Sequence, residues 1–345
     1  MDSPNGPHIA TVIPVLNEVH HIESCLNGLL NQTIASNSHI ILVMDGGSID
    51  GTQDIIKGII SRTEASDSPR LELHDNPGMT VAHARNLALK LLPESVEFII
   101  ELIGHSTVEP NHIGKRIEAW KLSEQEAGQQ LAGVGCKVVS RQGKLKGAEQ
   151  WIEGCLASPI GHSDGQFSQF TETGPSKIPA FVMHRRSSVE AVGGWDENFI
   201  TSQDSELSMR LLDAGHVLYR HPEPTVSMVK RTKLRQWWRM GHRYGFWRTK
   251  VLMKHPKRVS ISEFLPLFGL LLLALLYALD QPMWWIPIPV YATALIIEGV
   301  RHCFRSRDFT SLFGVPLCLI MLHTSFTLGL TDGLIRKGRS PKDRK

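Results

Sequence analysis

The apolar positions along this chain fall into three regimes. Up to about Lys230, short β-branched runs alternate with stretches whose apolar residues recur every three or four positions. Ile9–Val15 reads as a strand, followed by a helix with Ile22, Leu26, Leu29 and Leu30 on one face. Ile40–Met44 is a second strand, ahead of a helix that starts near Asp50 and carries Ile55, Ile56, Ile59 and Ile60. Leu71–His74 precedes a helix around Val81–Leu92, and a further strand, Phe98–Ile103, ends at Gly104-His105. Strands alternating with helices at this spacing predict an α/β fold with a parallel, doubly wound sheet. The stretch Gly161–Pro179, rich in Gly, Ser, Thr and Gln, reads as a mobile loop.

The second regime is basic. Between Lys230 and Arg258 stand eleven Lys/Arg and no Asp/Glu, although the net charge of the chain is only +3. The third is apolar, in blocks at Phe264–Leu279, Met283–Val300 and Leu312–Leu330. Each block is near the lower limit for crossing a bilayer, where about 20 residues are typical. Trp284-Trp285 marks the edge of one of them. A basic stretch beside apolar blocks points to a membrane surface and away from nucleic acid. The chain therefore divides into a head (1–229), a basic amphipathic interface segment (230–262), two to three transmembrane or re-entrant helices (263–335) and a basic tail (336–345). Asp280-Gln281-Pro282 is too short for anything but a hairpin turn. Arg301–Arg307 is basic and expected in the cytosol. A third full crossing would then put the basic tail outside, against the positive-inside rule, so either the last block is re-entrant or the rule is broken. The five cysteines are scattered without a Cys-x-x-Cys pair, which suits free thiols in a reducing compartment. No charged segment followed by an apolar core opens the chain, so the head is expected in the cytoplasm, tethered to the cell membrane.

Two strands deliver acids at their C-terminal ends: Pro14-Val15-Leu16-Asn17-Glu18 after the first, and Asp45-Gly46-Gly47-Ser48-Ile49-Asp50-Gly51-Thr52 after the second. That edge of an open α/β sheet is where ligands bind. Carboxylates accept hydrogen bonds, and a nucleotide base and ribose offer N–H and O–H donors. Asp-Gly is also an ordinary turn dipeptide.

These two motifs, followed by Ala84-Arg85-Asn86, Val192-Gly193-Gly194-Trp195-Asp196-Glu197 and Gln203-Asp204-Ser205-Glu206-Leu207-Ser208-Met209-Arg210, resemble the signature elements of family 2 glycosyltransferases with the GT-A fold. The resemblance covers about residues 8–250 and extends to the membrane-anchored, succinoglycan-biosynthesis-type branch. It implies that Pro14, Glu18 and Asp45 hold the base or ribose of a UDP- or GDP-linked sugar, and that Arg85 approaches the base or diphosphate. Asp204 would be the catalytic base that takes the acceptor's proton, although an acid at a helix start is also a good N-cap. Glu206 and Arg210 are spaced to pair along one helix. Gln203 stands where the family has Glu, in reach of metal or acceptor.

The metal element departs from the family pattern. Ile103 and His105 fall on the two acids of its Asp-x-Asp, and Glu101, two residues before Ile103, is on the same strand face as a possible substitute. A divalent cation is still implied, with His105 as its ligand. Imidazole suits Mn2+ better than Mg2+. Arg235-Gln236-Trp237-Trp238-Arg239-Met240 resembles the Gln-x-x-Arg-Trp element of processive polysaccharide synthases, which makes Gln236 and Arg239 acceptor-site candidates. The same segment also reads as interfacial anchoring, with its Trp rings at headgroup depth. The expected function is an inverting glycosyltransferase moving sugar to a lipid-linked acceptor. The alternatives are a processive synthase, a degenerate nucleotide-sugar-binding scaffold, or a nucleotidyltransferase on a related sheet.

Overall fold

The computed structural model describes residues 7–63, 67–141, 143–161 and 170–338. The backbone divides into two compact units, one formed by residues 1–141 and 169–229, the other by 142–168 and 230–345.

The first unit is built on one mixed sheet. Its strands are β1 (Ile9–Val15), β2 (His39–Asp45), β3 (Arg70–Asp75), β4 (Phe98–Glu101), β5 (Ser106–Thr107), β6 (Gly133–Ser140), β7 (Gly174–Pro175), β8 (Met183–Arg185) and β9 (Leu218–Met228). They run in the order β3-β2-β1-β4-β8-β6-β9-β5, with β7 beside β9. The expected parallel half is there: β3, β2, β1 and β4 are mutually parallel, with Val15 opposite Asp45 and Val12 opposite Glu101. Beyond β4 the sheet turns mixed, because β8 pairs antiparallel with both β4 and β6. Every residue of β2 is buried, as a strand covered on both faces must be. The helices of this unit are α1 (Ile22–Leu30), α2 (Thr52–Thr63), α3 (Val81–Leu91), α4 (His112–Ala127), α6 (Arg186–Ala191) and α7 (Gln203–Asp213). Helix α3 packs Ala84 and Ala88 onto Val12, Ile40, Leu42 and Met44 of the sheet. The small alanines let helix and strands approach closely. Of the loop expected at Gly161–Pro179, residues 162–169 lie outside the described residues. Its later part holds the short strand β7.

The second unit contains α5 (Ala148–Ala157), α8 (Leu234–Lys254), α9 (Leu265–Ala278), α10 (Pro287–Ser306) and α11 (Ser311–Ile335). The basic segment is thus a 21-residue helix, α8. Trp237, expected at headgroup depth, is instead fully buried and donates its indole N–H to the Cys318 carbonyl at 2.9 Å. It joins Ile152, Cys155, Leu295, Val315 and Leu319 in a core. Two stretches of the described residues are long and apolar enough to cross a membrane. Ile261–Ala278 has mean hydropathy 2.0 and no buried residue; Ser311–Ile335 has mean hydropathy 1.7 and is one-third buried. The middle apolar block forms α10, whose second half carries Glu298, Arg301 and Arg305.

Candidate active site

The tips of β1 and β2 are stitched into one surface. Gly46 N–H donates to the Val15 carbonyl at 2.9 Å. Asn17 N–H donates to Ser48 Oγ at 2.9 Å, and Ile49 N–H returns to Asn17 Oδ1 at 3.0 Å. Glu18 N–H reaches Thr52 Oγ1 at 2.8 Å and Val19 N–H reaches Asp50 Oδ2 at 3.1 Å. Asn17 has φ 57, a left-handed conformation that Asn tolerates better than most residues. Pro14 is half-buried just before this tip.

Asp45 organises its own loop. The carboxylate is 1% exposed and accepts from Gly47 N–H at 3.0 Å, Ser48 N–H at 2.9 Å, Ser48 Oγ–H and Gln53 Nε2–H at 2.6 Å. A carboxylate has about four acceptor positions. Three of these bonds fall on Oδ2, so the unused capacity for a ligand lies on Oδ1.

Glu18 faces the loop that follows β4. Its Oε1 accepts from His105 Nδ1 at 2.8 Å, and both side chains are mostly buried. Gly104 makes the approach possible, since a Cβ there would stand 2.9 Å from Glu18 Cγ. With Nδ1–H held by Glu18, neutral His105 presents Nε2 as its free electron pair. His21 adds a second ring, 6.4 Å from that of His105. Burial pulls its pKa below the ordinary histidine value, more than Glu18 raises it.

Among the described residues no three His, Cys, Asp or Glu side chains converge as a complete cation cage. The Glu18–His105 pair fits a cation only partly enclosed by protein, as diphosphate-bound cations usually are: one or two protein ligands, with the rest from phosphate and water. Glu101 does not help. It is 3% exposed and faces Arg85 Nη1 at 3.0 Å, Trp195 Nε1 at 3.1 Å and His184 Nε2 at 3.4 Å. Burial opposes its charge, but the Arg85 guanidinium, then His184 and Trp195, hold its carboxyl below the usual range.

Arg85, expected near the base or diphosphate, is the principal partner of that carboxylate. Its guanidinium is buried against Glu101 and lies 5.6 Å from the centre of the Trp195 ring. Asn86 grips the same turn. It donates to the Trp195 carbonyl at 2.8 Å and accepts from Trp195 N–H at 2.8 Å. Arg210 completes the clamp, donating to the carbonyls of Val192 at 2.6 Å and Gly194 at 2.7 Å. As its spacing predicts, it also pairs bidentately with the fully buried Glu206. The motifs at residues 84–86, 192–197 and 203–210 therefore hold one another.

Asp204 is in the first turn of that clamped helix, half-buried, with Gln203 beside it. The cap position belongs to Ser202, at φ 64. Asp204 Oδ1 accepts from Ser205 N–H at 2.8 Å, and the positive end of the helix favours its ionised form. A chain of contacts ties this helix to the strand edge: Glu101 to Trp195, Trp195 through Gly194 to Arg210, and Arg210 to Glu206. Gln236 and Arg239 belong to the second unit, both exposed on α8.

Known proteins are similar to this chain. The succinoglycan biosynthesis protein ExoA of Rhizobium meliloti (strain 1021) is 27% identical over 331 residues, 94% of each chain. A dolichyl N-acetyl-alpha-D-glucosaminyl phosphate 3-beta-D-2,3-diacetamido-2,3-dideoxy-beta-D-glucuronosyltransferase of Methanococcus voltae is 26% identical, over 96% of this chain and 98% of the relative. In three dimensions the chain is similar to the mannosyltransferase PcManGT from Pyrobaculum calidifontis, solved with GDP-Man and Mn2+. That likeness has a TM-score of 0.59 at 15% identity, over 96% of this chain and 88% of the other, and it supports the GT-A-like fold. Residues 11–193 match the profile of Glycosyl transferase family 2. With over half its length inside that match, the chain belongs to glycosyltransferase family 2, enzymes that act on nucleotide-sugar donors.

Proposed function

We propose that this enzyme transfers a sugar, with inversion, from a UDP- or GDP-linked donor to a lipid-linked acceptor at the cytoplasmic face of the cell membrane. The observation that carries this reading is the pre-shaped acidic edge: two laced strand tips, with Glu18 aimed at His105 beside them. Pro14, Glu18 and Asp45 frame the donor's base and ribose. A divalent cation held through His105, and through donor phosphates, would neutralise charge on the leaving diphosphate. Imidazole ligation makes Mn2+ the expected ion. Arg85 is assigned a structural role.

In the transfer itself the acceptor hydroxyl gives its proton to the Asp204 carboxylate. Its oxygen bonds to the anomeric carbon as the bond from that carbon to the diphosphate breaks, and nucleoside diphosphate leaves. Gln203, and Gln236 and Arg239 of the second unit, are the candidates for holding the acceptor. The lipid-linked acceptor rests on two supports. One is the dolichyl-linked substrate that the Methanococcus relative is named for. The other is a pair of stretches apolar enough to meet a bilayer. A carrier confined to the membrane meets a membrane-bound site far more often than a dissolved one does.

The test is Asp204→Asn in detergent-solubilised full-length protein, assayed with lipid extracts and a panel of nucleotide sugars. Transfer is expected to fall by at least about a hundredfold, the usual range for a general base, while nucleotide affinity stays within twofold. Wild-type transfer by that variant would refute the assignment.

A further inference from the structure

Helix α11 is apolar enough to cross a membrane, yet α5 and α8, which pack along it, are not. Its start is covered by α5. Trp151 donates to Thr310 Oγ1 at 2.8 Å, and a Cβ on Gly314 would fall 2.1 Å from the Trp151 ring. Helix α5 is no membrane segment, for it carries Glu149, Gln150 and Glu153, the last paired with Lys230 at 2.5 Å.

The rest of α11 runs parallel to α8 in close contact. Trp237 bonds to Cys318 O, Thr249 Oγ1 to Leu330 O at 2.9 Å, and Lys250 Nζ to Gly333 O at 2.8 Å. Glycines let the backbones touch. A Cβ on Gly245 would lie 2.1 Å from Phe326 O, and one on Gly329 would lie 2.1 Å from His242 O. Helix α8 carries six Lys/Arg and no acid. Were α11 to cross, α8 would be carried with it, taking Arg235, Arg239 and Arg243 into hydrocarbon, where such side chains are costly.

The opposite side of α11 is a bare stripe: Phe313, Leu317, Ile320, Thr324, Leu328 and Ile335, each exposed and spaced three, four or seven apart. One apolar face against protein and one against lipid explains how a non-crossing helix reaches so high a hydropathy.

We infer that α11 lies in the plane of the membrane, its bare stripe on an anionic leaflet beside the basic α8, and that the C-terminal tail stays on the same side as the catalytic unit. The occupant is argued from charge: residues 230–258 carry eleven Lys/Arg and no Asp or Glu, and although Lys230 pairs with Glu153 and Arg248 and Arg258 with Glu263, Lys233, Arg235, Arg239, Lys254 and Lys257 are exposed. The topology follows from parity. Helices α9 and α10 go out and back as a hairpin, however deep it reaches, so α11 begins on the side where α8 begins. This resolves the conflict between a third crossing and the basic tail. The inference rests on the membrane reading above.

The test uses full-length protein carrying Cys303→Ser, the half-exposed native thiol, with single cysteines at Lys57→Cys on α2 and at Lys337→Cys after α11. A membrane-impermeant maleimide is applied to intact cells and to inside-out vesicles. Both sites are expected to react in the same preparation. Reaction in opposite preparations, with the protein in the membrane pellet, overturns this inference alone. Recovery in the soluble fraction without detergent overturns the membrane reading and this inference together. As a second measurement, nitroxides at Phe313→Cys, Leu328→Cys and Ile335→Cys should report one shallow depth. Residues 313 and 335 are about 33 Å apart along a helix, so a crossing α11 would give depths rising and falling across the bilayer.

Discussion

Replacing Glu101 by Leu should cost the catalytic unit more than any single change at its surface. The carboxylate is 3% exposed and meets Arg85, Trp195 and His184. Glu101→Leu leaves the 5% exposed Arg85 as a buried, uncompensated cation. Breaking a buried pair in this way costs about 3–5 kcal/mol. Removing both partners costs far less, since no charge is stranded, so Arg85→Met with Glu101→Leu should recover at least half of the loss. In a unit of this size 1 kcal/mol moves Tm by about 2–4 °C, which puts the single variant about 6–20 °C below wild type. Fluorescence-monitored unfolding in detergent reads the shift, and nucleotide titration on folded samples reads the site. The reasoning fails if Glu101→Leu unfolds within about 2 °C of wild type, or if the double variant is as unstable as the sum of the singles. If Arg85→Met keeps its Tm but binds nucleotide tenfold more weakly, Arg85 belongs to the donor site after all.

Glu18→Gln should loosen the hold on His105 and weaken Mn2+ binding about 10–100-fold, read by calorimetry with nucleotide present; unchanged Mn2+ affinity would remove Glu18 from that role. His39 is buried beside Thr11, and burial lowers its pKa from 6.5 to about 4. Below pH 6.5 only the unfolded chain takes up this proton, so stability is full above 6.5 and is lost as pH falls toward 4. The loss is about 1.4 kcal/mol per pH unit, and His39→Gln should flatten that slope in denaturant titrations. Gly245→Val on α8 should destabilise the second unit by about 1–3 kcal/mol. By contrast Gly58→Ala on α2, where a Cβ meets nothing within 4 Å, should stabilise the first unit by about 0.5–1 kcal/mol. Paired thermal melts distinguish the two.

The parallel half of the sheet was legible because β1 and β2 are near-continuous β-branched runs at βαβ spacing. The mixed half was not. Strand β8 has only three residues, too few to show a period. Strand β9 carries Pro222 and Pro224, which argue against a strand, and the ladder with β6 shifts register opposite that stretch. The Glu206–Arg210 pair could be read from its i,i+4 spacing. The Arg85–Glu101 pair could not, since a motif places Arg85 on a helix without saying which face meets β4. Trp237 misled because its partner is Cys318, 81 residues away, and an amphipathic basic helix looks the same whether its Trp meets lipid or another helix.

The lacing of the two strand tips decides where an entropic cost falls. Fixing a backbone residue costs about 1–2 kcal/mol, and residues 16–19 and 46–51 are already fixed by one another and by Asp45. A donor arriving at this edge therefore orders little of its receptor, and departing nucleotide leaves no collapsed loop behind. Turnover at these tips can proceed as exchange on a standing template, with any slow conformational step confined to other parts of the chain.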